Sequence, residues 1–173
     1  MNKRAAVFAT LMCIAAASHA DESHGAHKPF HAADAEQQAF GIAADPKKAT
    51  RTIRVAMTDK MRFVPDTVEV RQDEIVKLIV TNKGRMLHEL VIGTPSDLKE
   101  HAEMMRKFPG MEHDEPHMLH VRSGKSGQLA WQFNRAGEFS FACLLPGHYE
   151  AGMVGKIIVR AAKNERGRQS NMQ

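Results

Sequence analysis

At 173 residues and 43% hydrophobic content, the chain suits one globular domain with appendages and a modest core. Its formal charge of +4 is not gathered into a basic stripe interleaved with aromatic residues, so the composition argues against nucleic acid as a partner. Two cysteines, Cys13 and Cys143, are too few for a disulfide framework.

Residues 1–20 read as a secretory signal. Lys3 and Arg4 give a positive start, Ala5 to Ala17 an apolar stretch, and Ser18-His19-Ala20 a small-residue cleavage site. The apolar stretch falls short of the roughly 18 residues a spanning helix needs, so no membrane span is expected in the mature chain. Cleavage removes two basic residues and no acidic ones, which takes the charge from +4 to +2. It also removes Cys13 and leaves Cys143 without a disulfide partner. A lone thiol in an oxidising compartment, here the periplasm, needs something to occupy it, and a metal would do so.

Residues 21–50 are polar and Ala-rich and read as a flexible arm. His24, His27 and His31 lie in H-G-A-H-K-P-F-H; they are either incidental or a short metal-binding tract. A domain over 51–161 follows. Ile53, Val55 and Met57 alternate with polar residues, as do Val68 and Val70, so both stretches are expected as half-buried strands. Ile75 to Thr81 is β-branched and apolar on both faces, as suits a central strand, and Asn82-Lys83-Gly84 is a turn signal. Leu87 to Ile92 is expected as a strand carrying His88.

An insertion over 94–127 is rich in methionine and histidine. Ser96 could cap a helix from Asp97 to about Phe108, with Leu98, Ala102 and Met105 on one face. Met104, Met105, Met111, His113, His117, Met118 and His120 make a candidate second copper site, since thioethers and imidazoles suit Cu(I). The competing reading makes the methionines core filler and the histidines surface residues. Leu129, Trp131 and Phe133 then alternate along one strand, and Phe139, Phe141 and Cys143 share one face of the next. Val154 to Val159 closes the domain. From residue 162 to 173 the chain is polar and charged and reads as disordered.

The stretch C-L-L-P-G-H-Y-E-A-G-M, Cys143 to Met153, puts a thiol, an imidazole and a thioether on one loop, with four residues between each successive pair. Two histidines, one cysteine and a long axial methionine form the set that holds copper for electron transfer. His88 is the best candidate for the missing imidazole. Each residue alone has an ordinary reading: Cys143 as a buried small hydrophobe, His88 as a hydrogen-bonded core histidine, His148 and Met153 as surface or core residues.

Together, H-E-L-V-I-G, F-S-F-A-C-L-L-P-G-H-Y-E-A-G-M and V-G-K-I-I-V resemble the cupredoxins, small β-sandwich proteins with one type 1 copper. The resemblance implies an all-β Greek-key sandwich with a short helix in an inserted loop. It makes His88, Cys143 and His148 equatorial ligands and Met153 the axial one, with copper cycling between Cu(I) and Cu(II). It also implies that His148 is the electron's exit, with Leu144, Leu145 and Pro146 as an apolar docking patch. Where many cupredoxins have Asn after the first histidine, this chain has Glu89. Cys143 lies between Ala142 and Leu144, where multicopper oxidases carry histidines, and no separate catalytic site is evident. The leading expectation is a periplasmic protein of copper handling or tolerance. The alternatives are a one-electron carrier for a periplasmic partner such as a cytochrome, and a Cu(I) oxidase.

Overall fold

The alternation of apolar and polar residues along the chain is realised as two facing β-sheets. The computed structural model describes residues 26–27, 30–111 and 114–162. The expected secretory signal, His24, His113 and the tail from Lys163 lie outside the described residues.

One sheet contains β2 (Gln37–Gln38), β3 (Gly41–Ala43), β10 (Ser126–Phe133), β7 (Glu74–Asn82), β4 (Arg51–Thr58) and β5 (Arg62–Val64), in that spatial order. β1 (Ala26–His27) pairs in parallel with β10 on the same sheet. The other sheet runs β6 (Thr67–Arg71), β12 (Val154–Arg160), β11 (Gly137–Ala142), β8 (His88–Gly93) and β9 (Met118–Val121). The chain crosses between sheets after β5, β6, β7, β9 and β10, which makes the expected Greek-key sandwich.

The core between the sheets is built from the inward residue of each alternating pair. Val55 and Met57, Val68 and Val70, Leu129, Trp131 and Phe133, Phe139 and Phe141 all belong to it. Gly155 lies against Phe141 so closely that an added Cβ would collide with the ring, so glycine at that point lets the two strands meet.

β8 is the exception to alternation, because all six of its residues are buried. Its outer face is covered by the helix α1 (Pro95–Lys107), whose Leu98, Ala102 and Met105 pack with Val91, Met118, Ala142 and Leu144 in a second apolar cluster. A strand covered on both faces reads as a continuous apolar run. The helix starts earlier than the sequence reading placed it. Thr94 rather than Ser96 is the cap: its Oγ accepts from the Asp97 N–H at 3.2 Å, and Pro95 occupies the first helical position, where its fixed φ and missing N–H are tolerated.

The reading of 21–50 as a flexible arm is overturned for its second half. β2 and β3 form a small hairpin, and β3 extends the sheet beside β10. Phe40 is buried and stacks on Trp131 at 5.4 Å between ring centroids, while the Trp131 indole N–H donates to the Phe40 carbonyl at 3.0 Å. A buried indole needs such an acceptor, and this segment supplies it. Gly41, at φ 128°, passes so close to Trp131 and Gln132 that a side chain would collide.

Candidate metal centre

Alternation along two neighbouring strands brings the central groups together. β8 and β11 pair antiparallel, with Val91 opposite Ala142. This register sets His88 near the end of one strand and Cys143 just beyond the end of the other. His88 shares a face with Leu90 and Ile92, and Cys143 with Phe141, so both point into the sandwich core. Both are fully buried.

The loop after Cys143 closes on itself. The Cys143 N–H donates to the Met153 carbonyl at 3.1 Å, the Met153 N–H to the His148 carbonyl at 3.0 Å, and the His148 N–H to the Leu145 carbonyl at 3.0 Å. Gly147 and Gly152 take positive φ of 85° and 86° at its turns. Arg62, from the β4–β5 hairpin, donates to the carbonyls of Ala151 and Gly152 at 3.0 and 3.3 Å and pins the loop from outside.

The ligand atoms of His88, Cys143 and His148 all lie within 4.8 Å of one another. Among the described residues, no other three His, Cys, Asp or Glu side chains come so close. His148 Nδ1 is 3.2 Å from Cys143 Sγ, and the two imidazole rings are 5.0 Å apart. Met153 is fully buried in the same apolar cluster as Cys143. His88 Nε2 is 3.0 Å from Asp59 Oδ1, whereas its buried Nδ1 has no hydrogen-bond partner. An orphaned buried nitrogen is costly unless something binds it.

Burial pushes the Cys143 thiol from an ordinary 9.0 up to about 12, and the Glu89 charge adds to this while the N–H groups of Glu89 and Leu145 act against it. Burial, then the neighbouring His88, pushes His148 below its ordinary value. Asp59 is held below the usual carboxylate value, first by the Arg85 N–H and then by His88. The set of one soft sulfur and two imidazoles, with Met153 joined by backbone bonds to Cys143 and His148, suits copper.

Around this group lies a shell that sequence reasoning only partly saw. Glu89 takes over the bracing expected of Asn: its N–H points at Cys143 Sγ at 3.4 Å, and its Oε1 accepts from the Leu144 N–H at 2.7 Å. Its Oε2 lies 2.9 Å from His120 Nε2, at ion-pair distance but not aligned as a hydrogen bond. Asp59 and Arg62 carry no signal in the sequence, because each acts across a hairpin turn on a segment far along the chain. Asn82, read only as a turn signal, is fully buried and donates to the carbonyls of Met86 and Val121 at 2.7 and 2.8 Å, which fixes the approach to His88.

Of the candidate second site, Met105, Met111 and His120 line one cleft, and His113 lies outside the described residues. Met105 and Met118 are core residues under the helix, whereas Met104 and Met111 are exposed. Adjacent helical residues such as Met104 and Met105 project about 100° apart, so one faces the sheet and the other does not. His117 sits edge-on to Phe40 at 5.3 Å, and His120 faces Glu89. His31 is exposed, and His27 lies on β1. The docking patch needs correction too: Leu144 is buried against the helix, leaving Leu145 partly buried and Pro146 exposed.

A family model described as copper-binding proteins of the plastocyanin/azurin family matches residues 49–160. The chain belongs to this family. Copper is thus the metal for which its donor set is built. Among cupredoxin relatives, the copper-resistant cuproprotein CopI of Rubrivivax gelatinosus is 50% identical over 157 residues, covering 87% of this chain and 94% of that protein. The protein of the same name from Pseudomonas aeruginosa is 34% identical, covering 75% and 87%. The solved structure of auracyanin B shares the fold, with a TM-score of 0.56 at 20% identity over 73% of this chain and 98% of that one.

Proposed function

We propose that the protein is a periplasmic copper-tolerance cupredoxin in which His88, Cys143 and His148, with Met153 as a fourth ligand, would hold one copper. The observation that carries this reading is the convergence of a buried thiol and two imidazoles, one with an orphaned Nδ1, in a chain half identical to a copper-resistant cuproprotein. Bound copper would supply one-electron chemistry. The protein's part is to fix the donors beforehand: a loop closed by its own backbone bonds and pinned by Arg62 has little to rearrange when copper changes charge. Export rests on the signal-like residues 1–20. No helix among the described residues is long and apolar enough to cross a membrane.

The role is tested in cells. A strain lacking the protein is expected to stop growing at copper concentrations the parent tolerates, with tolerance restored by the wild-type chain and not by Cys143→Ser. Restoration by Cys143→Ser would contradict the proposal.

A second reading, a one-electron carrier for a partner such as a cytochrome, draws on the partial exposure of His148. Leu87 and Leu145, beside the ligands, also line a cleft of about 870 Å³. Fast oxidation of a cytochrome by the copper-loaded protein would favour this reading.

A further inference from the structure

We propose that Asp59 and Glu89 are positioning residues that bias the centre toward cupric over cuprous copper, Asp59 through His88 and Glu89 through the Cys143 loop. The inference rests on the reading that His88, Cys143 and His148 hold one copper. The two carboxylates reach the group from opposite sides. Asp59 comes from the β4–β5 hairpin, and its Oδ1 faces His88 Nε2 at 3.0 Å. A carboxylate that accepts the Nε2–H fixes the tautomer in which Nδ1 presents a lone pair, and makes that nitrogen a stronger donor. The approach is built rather than incidental. The N–H groups of Arg85 and Met86 hold the same carboxylate at 2.7 and 3.3 Å, and a side chain at Gly84 would strike it.

Glu89 comes from the helix side of β8. Its carboxylate is nearly fully buried, bound to the Leu144 N–H and facing His120. The same residue's N–H points at Cys143 Sγ. A fixed negative charge stabilises a doubly charged ion more than a singly charged one, and does so more strongly where water is excluded. The two carboxylates therefore act in one direction, against the preference of sulfur donors for Cu(I), whereas the Glu89 N–H is kept in the amide variant and does not contribute to the difference. An amide at Glu89 would keep the bond from Leu144 and drop the charge.

The test uses Asp59→Asn and Glu89→Gln, loaded with one equivalent of copper beside wild type and Cys143→Ser. Absorption that depends on Cys143 in the wild-type protein checks the underlying site; its absence there would count against that site rather than against the two carboxylates. Voltammetry then reads the bias. Each amide variant is expected to raise the reduction potential through a roughly tenfold shift in the cupric-to-cuprous affinity ratio, about 59 mV for one electron. The double variant should raise it further. Competition with cupric and cuprous chelators reads the same ratio if a variant's absorption is weakened. A merely structural role would weaken both ions alike, and that result overturns the proposal. A variant whose potential stays at or below the wild-type value overturns it for that residue. In the metal-free protein, nitrogen chemical shifts should show His88 locked as the Nε2–H tautomer and released by Asp59→Ala.

Discussion

Cys143 combines two properties that pull against each other: it is fully buried, and it must lose a proton to bind a metal. With its thiol pushed up to about 12, the metal-free protein keeps that proton across the physiological range, so binding must displace it. His148 is held below its ordinary value and is neutral well before pH 8, so it offers no competing proton there. The sign follows: apparent copper affinity rises as pH rises, by about tenfold per pH unit between pH 7 and 9, with one proton released per copper. Titration in weakly and strongly buffered solutions measures the release directly. An affinity flat across that range would mean the thiolate already exists without metal. The convergence of His88, Cys143 and His148 was legible in the sequence because Cys143 and His148 share one loop at close spacing and His88 opens a neighbouring apolar run. Asp59 and Arg62 were not, because their partners lie 29 and about 90 positions away and only the folded hairpin brings them in.

At the scale of elements, the helix of the insertion covers the outer face of β8. Its methionines were ambiguous in sequence, since a thioether is equally a soft ligand and a flexible core filler. Packing decides between these roles for two of them: Met105 and Met118 interlock with Leu98, Ala102 and Leu144 beneath the helix. Met118→Leu conserves volume and is expected to cost less than about 1.5 kcal/mol while leaving the amount of bound copper unchanged. Denaturant unfolding and metal analysis of the same sample check both halves. A lost copper in that variant would return Met118 to the ligands.

At the scale of the whole molecule, the sandwich is larger than its strand pattern announced. Alternating apolar residues were enough to place most strands of both sheets. The hairpin of β2 and β3 escaped notice because two- and three-residue strands carry no periodicity, and its one strong anchor, Phe40, lies in a short Ala-rich run with no alternation. Its stacking on Trp131 makes the segment part of the core, so Phe40→Ala is expected to destabilise the protein by about 3–5 kcal/mol. Thermal unfolding would show this, together with a red shift of tryptophan emission as Trp131 meets water. Because the segment pairs with β10, in the sheet that contains neither β8 nor β11, the copper absorption of the folded variant should be unchanged.

What unites these scales is the proposal that the scaffold holds donors from β8 and from one loop against a single copper. Stepwise addition of copper to the purified mature protein, following visible absorption and bound metal together, tests this most directly. The structure predicts an intense band that grows with the first equivalent, stops there, and is missing from Cys143→Ser. A band that survives that substitution, or one equivalent bound tightly with no band, would contradict it.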